Sequence, residues 1–219
     1  MHILASGLNH TTAPLALCER LALSEEEIRA LLARLAGGEW PSGVKELAIL
    51  STCNRIEVYA ASALADFERL EIFLATACNM PLTEIQPHLY RYRDADVARH
   101  LFEVAAGLDS LVLGEPQILG QVTRAWTWAS RAGCTGALLN RLFQAAIHAG
   151  KRVRAETAIG RHPASTPSLA EKAVHRLAEA QVVIRWFITN QNLFGFGLSE
   201  LGKDLPRKRA GGERYTRSH

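Results

Sequence analysis

The chain has 219 residues, 48% of them hydrophobic and 21% charged, which excludes a disordered chain, a collagen-like repeat and a disulfide-stapled mini-protein. No apolar run approaches the ~18 residues of a membrane helix and no signal-peptide pattern opens the chain, so a cytoplasmic protein without membrane association is expected. The net charge of +3 is unevenly placed: residues 181–219 hold seven Lys/Arg against three Asp/Glu, and residues 1–180 hold 18 against 19, so any contact with nucleic acid must rest on local patches.

Residues 1–9 are apolar and β-leaning, and His10-Thr11-Thr12-Ala13-Pro14 ends that strand. A helix is predicted from Ser24, which with Glu27 forms a capping box; Ile28, Leu31, Leu32 and Leu35 make its stripe and Gly37-Gly38 end it. Strands over 46–50 and 56–60 flank a polar interruption, Ser51 to Arg55. A helix at 66–78 and a strand at 89–93 follow. From Asp94, a candidate cap, the pattern turns helical, with helices over about 94–106, from Pro116, over 136–157 and over 168–180. The fold expected is therefore α+β or α/β, a strand-rich part followed by a helical part, within a domain of residues 1–160. A strand is predicted at 181–189. The remainder is glycine-rich and then basic, which predicts disorder, and its Gly195, Gly197 and Gly202 have the wrong spacing for a dinucleotide loop.

Four cysteines, Cys18, Cys53, Cys78 and Cys134, are widely spaced without a CxxC pair, so neither a zinc site nor a disulfide framework is expected. Cys53 stands out because it lies in a polar loop between strands, among hydroxyl, amide and guanidinium groups that suit a thiolate. A lone cysteine also serves as a small buried hydrophobe. The segment Gly107–Gln121 gathers Asp109, Ser110, Glu115, Gln117 and Gln121, either for a cleft or for turns and caps. His100 fits a core or boundary position as well as a proton acceptor, and His10 has the same ambiguity. Lys151, Arg152 and Arg154, with Arg141 upstream, form a basic cluster that suits either a solvated helix end or phosphate contact.

Four runs in order carry a resemblance. They are Gly7-Leu8-Asn9-His10-Thr11-Thr12-Ala13-Pro14, then Leu50 to Tyr59 with the core Ser51-Thr52-Cys53-Asn54-Arg55. They continue with His100-Leu101 and Ala106 to Val122, and end with Lys151 to Gly160. Over residues 1 to about 180 the chain resembles the glutamyl-tRNA reductase family. The resemblance implies a small, mainly antiparallel sheet packed with helices, followed by a helical subdomain. It implies that Cys53 attacks the ester of glutamyl-tRNA to give a thioester, which NADPH reduces to glutamate-1-semialdehyde for porphyrin synthesis. It places His100 among the catalytic residues. It assigns substrate binding to Thr52, Asn54, Arg55, Ser110, Glu115, Pro116, Gln117 and Gln121, with Arg55 as the natural partner of the glutamate side-chain carboxylate. The family forms a homodimer and needs no metal. Residues 161–180 are expected to begin an interdomain helix, and residues 181–219 depart from the NADPH-binding domain that the family places there. The alternatives are a module that binds charged tRNA or protein without catalysis, and an esterase releasing glutamate.

Overall fold

The computed structural model describes residues 1–160 and 170–190. Four strands, β1 (His2–Asn9), β2 (Val44–Thr52), β3 (Arg55–Ser62) and β4 (Tyr90–Arg93), form one antiparallel sheet in the order β2-β3-β1-β4. All eight residues of β3 are buried, because helices cover both faces of the sheet and erase the usual in–out alternation. Helices α1 (Leu15–Leu21) and α3 (Phe67–Ala77) pack on one face. On the other lie α5 (Ala95–Ala106), α6 (Gln117–Arg131) and α7 (Ala137–Glu156). Two contacts fix the facing. Ser6 Oγ donates to Glu71 of α3, whereas Tyr59 meets Phe143 of α7 edge to face. The small antiparallel sheet followed by a helical part agrees with the expected fold.

Helix α2 (Glu25–Ala36) starts where the capping box predicts: Glu27 N donates to Ser24 Oγ at 3.2 Å and Ser24 N donates to Glu27 Oε2 at 2.8 Å. It packs on α6. A one-turn helix, α4 (Leu82–Ile85), precedes β4. Asp94 departs from its expected capping role. Its carboxylate turns back to accept from Ile3 N at 3.0 Å, and α5 begins without a side-chain cap.

The start of α7 is closed by a residue from another element. Glu46 of β2 is buried and accepts from the backbone N–H groups of Leu138 and Leu139 at 3.2 and 2.7 Å. A carboxylate there satisfies two orphan donors and meets the positive end of the helix dipole. Glu46→Ala is expected to destabilise the protein by about 1–2 kcal/mol, read as a lowered midpoint in urea with an unchanged slope. A smaller effect for Glu46→Ala than for an exposed substitution such as Glu68→Ala would dismiss this cap.

The strand expected over 181–189 is instead the end of a helix, α8 (Ala170–Asn190). Ala180, Ile184 and Phe187 are buried, while Val182 and Trp186 are exposed. Buried positions four and three residues apart follow the helical period. They pack α8 onto α5 and α7. Residues 161–169 and 191–219, with Gly195, Gly197, Gly202 and the predicted disorder of the tail, lie outside the described residues. No described helix is long and apolar enough to cross a membrane.

Candidate active site

The polar interruption between the two predicted strands shrinks to a two-residue hairpin turn, Cys53-Asn54, because pairing continues to Thr52 opposite Arg55. Two-residue turns generally need positive φ, yet neither Cys53 nor Asn54 adopts it. Side-chain bonding holds the turn instead. Thr52 Oγ1 accepts from the amides of Asn54 at 3.1 Å and Arg55 at 3.2 Å, and Asn54 O accepts from His10 N at 3.0 Å. Thr52 is therefore first a turn-former, and the Asn54 and Arg55 amides are spent within the turn.

Cys53 is exposed at this tip. Cys18 and Cys134 are buried and Cys78 is partly buried. Burial pushes the thiols of Cys18 and Cys134 up, and burial followed by the nearby Glu27 charge pushes Cys78 up to about 12. Reactivity follows exposure and thiolate fraction, so iodoacetamide at neutral pH is expected to modify Cys53 well before the other three. Peptide mapping after partial labelling checks this order, and first labelling at Cys78 would reverse the assignment.

Beside Cys53 lies a shallow surface cleft with an enclosed volume of only about 10 Å3, lined by Thr52, Cys53, Asn54, Arg55, Ser110, Leu111, Glu115, Ile118 and Gln121. That is far below the ~300–1,000 Å3 of pockets for drug-sized ligands and about the room one water needs, so the lining residues meet at the surface around a nearly closed cleft. Seven of the ten expected site residues line it. Pro116 and Gln117 are exposed at the start of α6 and do not. His100 also stands apart from the cleft.

Behind the cleft, on the sheet face toward α5 and α7, sits a buried charge network. The register places Glu57, Gly7 and Tyr90 in one cross-strand row. Because Gly7 has no side chain, Tyr90 reaches over it to donate to Glu57 at 2.5 Å. A Cβ at Gly7 would lie 2.9 Å from Glu57 Cγ. Glu57 also accepts from Tyr59, from Arg55 Nη1 at 2.9 Å and meets His100 Nε2 at 3.0 Å. His100 is buried and stacks on Tyr92, with ring centroids 4.5 Å apart. Its place in this packing is thus a core position that contacts Glu57.

Arg55 is only 1% exposed. Besides Glu57, its Nη1 donates to Asp109 Oδ2 at 2.9 Å and its Nη2 donates to the Asp109 carbonyl. Asn9 Nδ2 also donates to Asp109 Oδ2 at 3.0 Å. The guanidinium expected to grip a substrate carboxylate is thus already engaged by Asp109 in this structure. Asp109, singled out in the sequence among the polar residues of Gly107–Gln121, is thus the partner of Arg55, whereas Glu57 joins this network although the sequence reading did not select it. An acid among the apolar residues of Ile56–Ala61 was the available signal.

Burial pushes Glu57 up, but His100 and Arg55 pull harder the other way, aided by hydrogen bonds from His100 and Tyr59, and the carboxyl ends well below its usual range. A depressed folded-state pKa contributes stability above the unfolded value, and that contribution is lost as pH falls. Melting temperature is therefore expected to fall as pH drops below the ordinary carboxylate value of 4.5. Glu57→Gln should lack this component, which calorimetry between pH 7 and 3 checks. Equal acid sensitivity in both proteins would remove Glu57 from the explanation.

Donor atoms of Glu57, His100 and Asp109 lie within 4.8 Å of one another, a spacing a metal ion could bridge. Arg55 Nη1 bonds to both carboxylates, so the guanidinium is already the cation of this cluster. The anticipated basic patch also divides. Arg152 is bound to Glu156 and lies over Trp186 at 4.6 Å, whereas Arg154 turns inward to the carbonyls of Gly114 and Glu115. Among the described residues every strand pairing is antiparallel. A dinucleotide βαβ unit needs parallel neighbours, so these residues do not form that unit.

A model of the glutamyl-tRNAGlu reductase N-terminal domain matches residues 6–157. The chain belongs to this family. It is 43% identical over 189 residues to a glutamyl-tRNA reductase of Desulforudis audaxviator, covering 84% of this chain and 42% of the relative. A glutamyl-tRNA reductase of Halorhodospira halophila is 48% identical over 165 residues, 75% of this chain and 36% of the relative. With a Synechococcus elongatus glutamyl-tRNA reductase the identity is 41% over 204 residues, 92% of this chain and 45% of the relative. That coverage exceeds what residues 1–180 can supply, so the likeness extends past Ala180. The solved structure of glutamyl-tRNA reductase from Methanopyrus kandleri matches with a TM-score of 0.59 and 30% identity, over 80% of this chain and 39% of that one. The chain spans less than half the length of each of these relatives.

Proposed function

We propose that this chain performs the acyl-capturing half-reaction of a glutamyl-tRNA reductase. The observation that carries the reading is Cys53: among the four cysteines it is the exposed one, and it stands at the edge of a cleft lined by Thr52, Asn54, Arg55, Ser110, Glu115 and Gln121. The Cys53 thiolate adds to the ester carbonyl carbon of glutamyl-tRNA. The bond to the terminal ribose oxygen breaks, that oxygen takes up a proton from solvent, and a glutamyl thioester remains on Sγ. Because Thr52 Oγ1 occupies the Asn54 and Arg55 amides, the donors for the developing oxyanion are side chains, Asn54 and Gln121. Glu115 receives the α-ammonium. Arg55 receives the side-chain carboxylate after Asp109 yields its place. His100 acts through Glu57 by fixing the Arg55 network. Pro116 sets the start of α6, from which Gln117 and Gln121 project. The NADPH reduction that the family resemblance implies is assigned to none of the described residues.

Incubation of the purified chain with glutamyl-tRNA, followed by intact-mass analysis, tests the capture. A glutamyl adduct mapped to Cys53 is the expected result. Free glutamate released with dependence on Cys53 marks turnover of the thioester by water, as an esterase. Bound charged tRNA with an intact ester would replace the proposal with a binding module.

A further inference from the structure

We infer that Arg154 is a positioning residue for the acyl-capture site, holding the base of the segment Gly107–Glu115 while Arg55 holds Asp109 within it. The inference deepens the acyl-capture reading and rests on it for its catalytic consequence. Residues 107–114 form a compact loop closed at its base, where Gly114 N donates to Gly107 O at 2.9 Å. This loop and the residue after it supply Ser110, Leu111 and Glu115 to the cleft lining. Arg55 pins the loop at its middle through Asp109. Arg154, near the end of α7, pins its base: Nη1 donates to Gly114 O at 3.1 Å and Nη2 donates to Glu115 O.

The surroundings leave the loop little room to settle elsewhere. Gly114 has a φ of +78°, which favours glycine, and a Cβ there would meet Ile159 O at 2.3 Å. Ile159 lies in the short turn after α7, which ends at Glu156, so the end of this helix and the turn after it grip the loop together. Packing alone is a poor reason for an arginine here. Its Nε is buried without a hydrogen-bond partner, a cost an apolar stem of similar length would avoid. What a methionine would not supply is a rigid fork whose two arms set two successive carbonyls. Those carbonyls fix the backbone of Gly114 and Glu115, and with it the direction of the Glu115 side chain.

Arg154→Met and Arg154→Lys, made in the full chain, test the inference by two measurements. In the first, hydrogen exchange of residues 107–116 is compared with that of α5. The expected result for Arg154→Met is loop exchange about tenfold faster with α5 unchanged. In the second, the rate of Cys53 acylation by glutamyl-tRNA is compared with its alkylation by iodoacetamide. Acylation is expected to fall about tenfold or more, since small misplacements of positioning groups carry large rate penalties. Alkylation should stay unchanged, because Cys53 sits on the hairpin and not on the loop. Arg154→Lys should recover part of the lost rate through one restored carbonyl contact. Unchanged loop exchange overturns the inference. So does undiminished acylation in Arg154→Met, or acylation and alkylation falling together. If the wild-type chain is not acylated at all, the acyl-capture reading fails, and the exchange measurement alone still decides whether Arg154 holds the loop.

Discussion

Cys53→Ser is expected to reduce acyl capture from glutamyl-tRNA by roughly 10^3-fold or more, while leaving the fold intact. A serine hydroxyl ionises far less readily than a thiol and depends on an adjacent base to become a nucleophile. The cleft lining contains no histidine, and His100 is turned to Glu57. Sulfur is thus the nucleophile this site can use without a dedicated base. Single-turnover deacylation with labelled glutamyl-tRNA measures the loss. A serine variant within tenfold of wild type would point to another attacking group. Cys134→Ser provides the contrast: it is buried, with Sγ 3.3 Å from Leu32 O, and its effect should fall on stability and not on this rate.

The second large effect concerns Arg55. Removing one member of a buried ion pair leaves the other charge without compensation, which costs about 3–5 kcal/mol. Arg55→Met leaves Glu57 buried with only tyrosine hydroxyls and His100 around it. At about 2–4 °C per kcal/mol for a chain of this size, the melting temperature should drop by roughly 6–20 °C. The double variant Arg55→Met/Glu57→Gln should regain much of that loss, because both charges are gone. Thermal melts of the wild type, both single variants and the double variant form a cycle. If Arg55→Met melts like wild type, the network is not a source of stability. The cycle also bears on function. Any loss of activity in an Arg55 variant has to be separated from this structural loss before it is credited to substrate binding, and melting curves at the assay temperature make that separation.

The sheet and most helices were legible because their signals are local. Ser24 with Glu27 announces α2, and glycines mark its end. Helix α1 escaped notice because seven residues after Pro14, with no side-chain cap, make too short a pattern. The run from Gln181 to Thr189 misled by composition: valine, isoleucine and aromatic side chains read as a strand, while the burial of Ala180, Ile184 and Phe187 obeys a helical period. Tertiary packing on α5 and α7 overrides the local preference there. The cleft became legible through the motifs of a family, since nothing in the spacing of Cys53 and Gln121 alone brings them together. Glu57 was hidden for a different reason. Its role depends on cross-strand register and on a gap left by Gly7, and neither is written in the neighbourhood of the residue itself.

The same register has a bearing on self-association. In the order β2-β3-β1-β4 the outer strands are β2 and β4, and open edges are where sheets of separate molecules join. Both are guarded. The outer strand β4 is four residues long, with Arg91 and Arg93 exposed. Strand β2 is irregular between Val44 and Glu46, with Lys45 exposed, and Leu47 N donates to Cys134 O at 2.8 Å from the loop before α7. Short length, positive charge, a bulge and a covering loop are each deterrents to strand addition. Among the described residues neither edge of the sheet offers a ready backbone strand to a second copy.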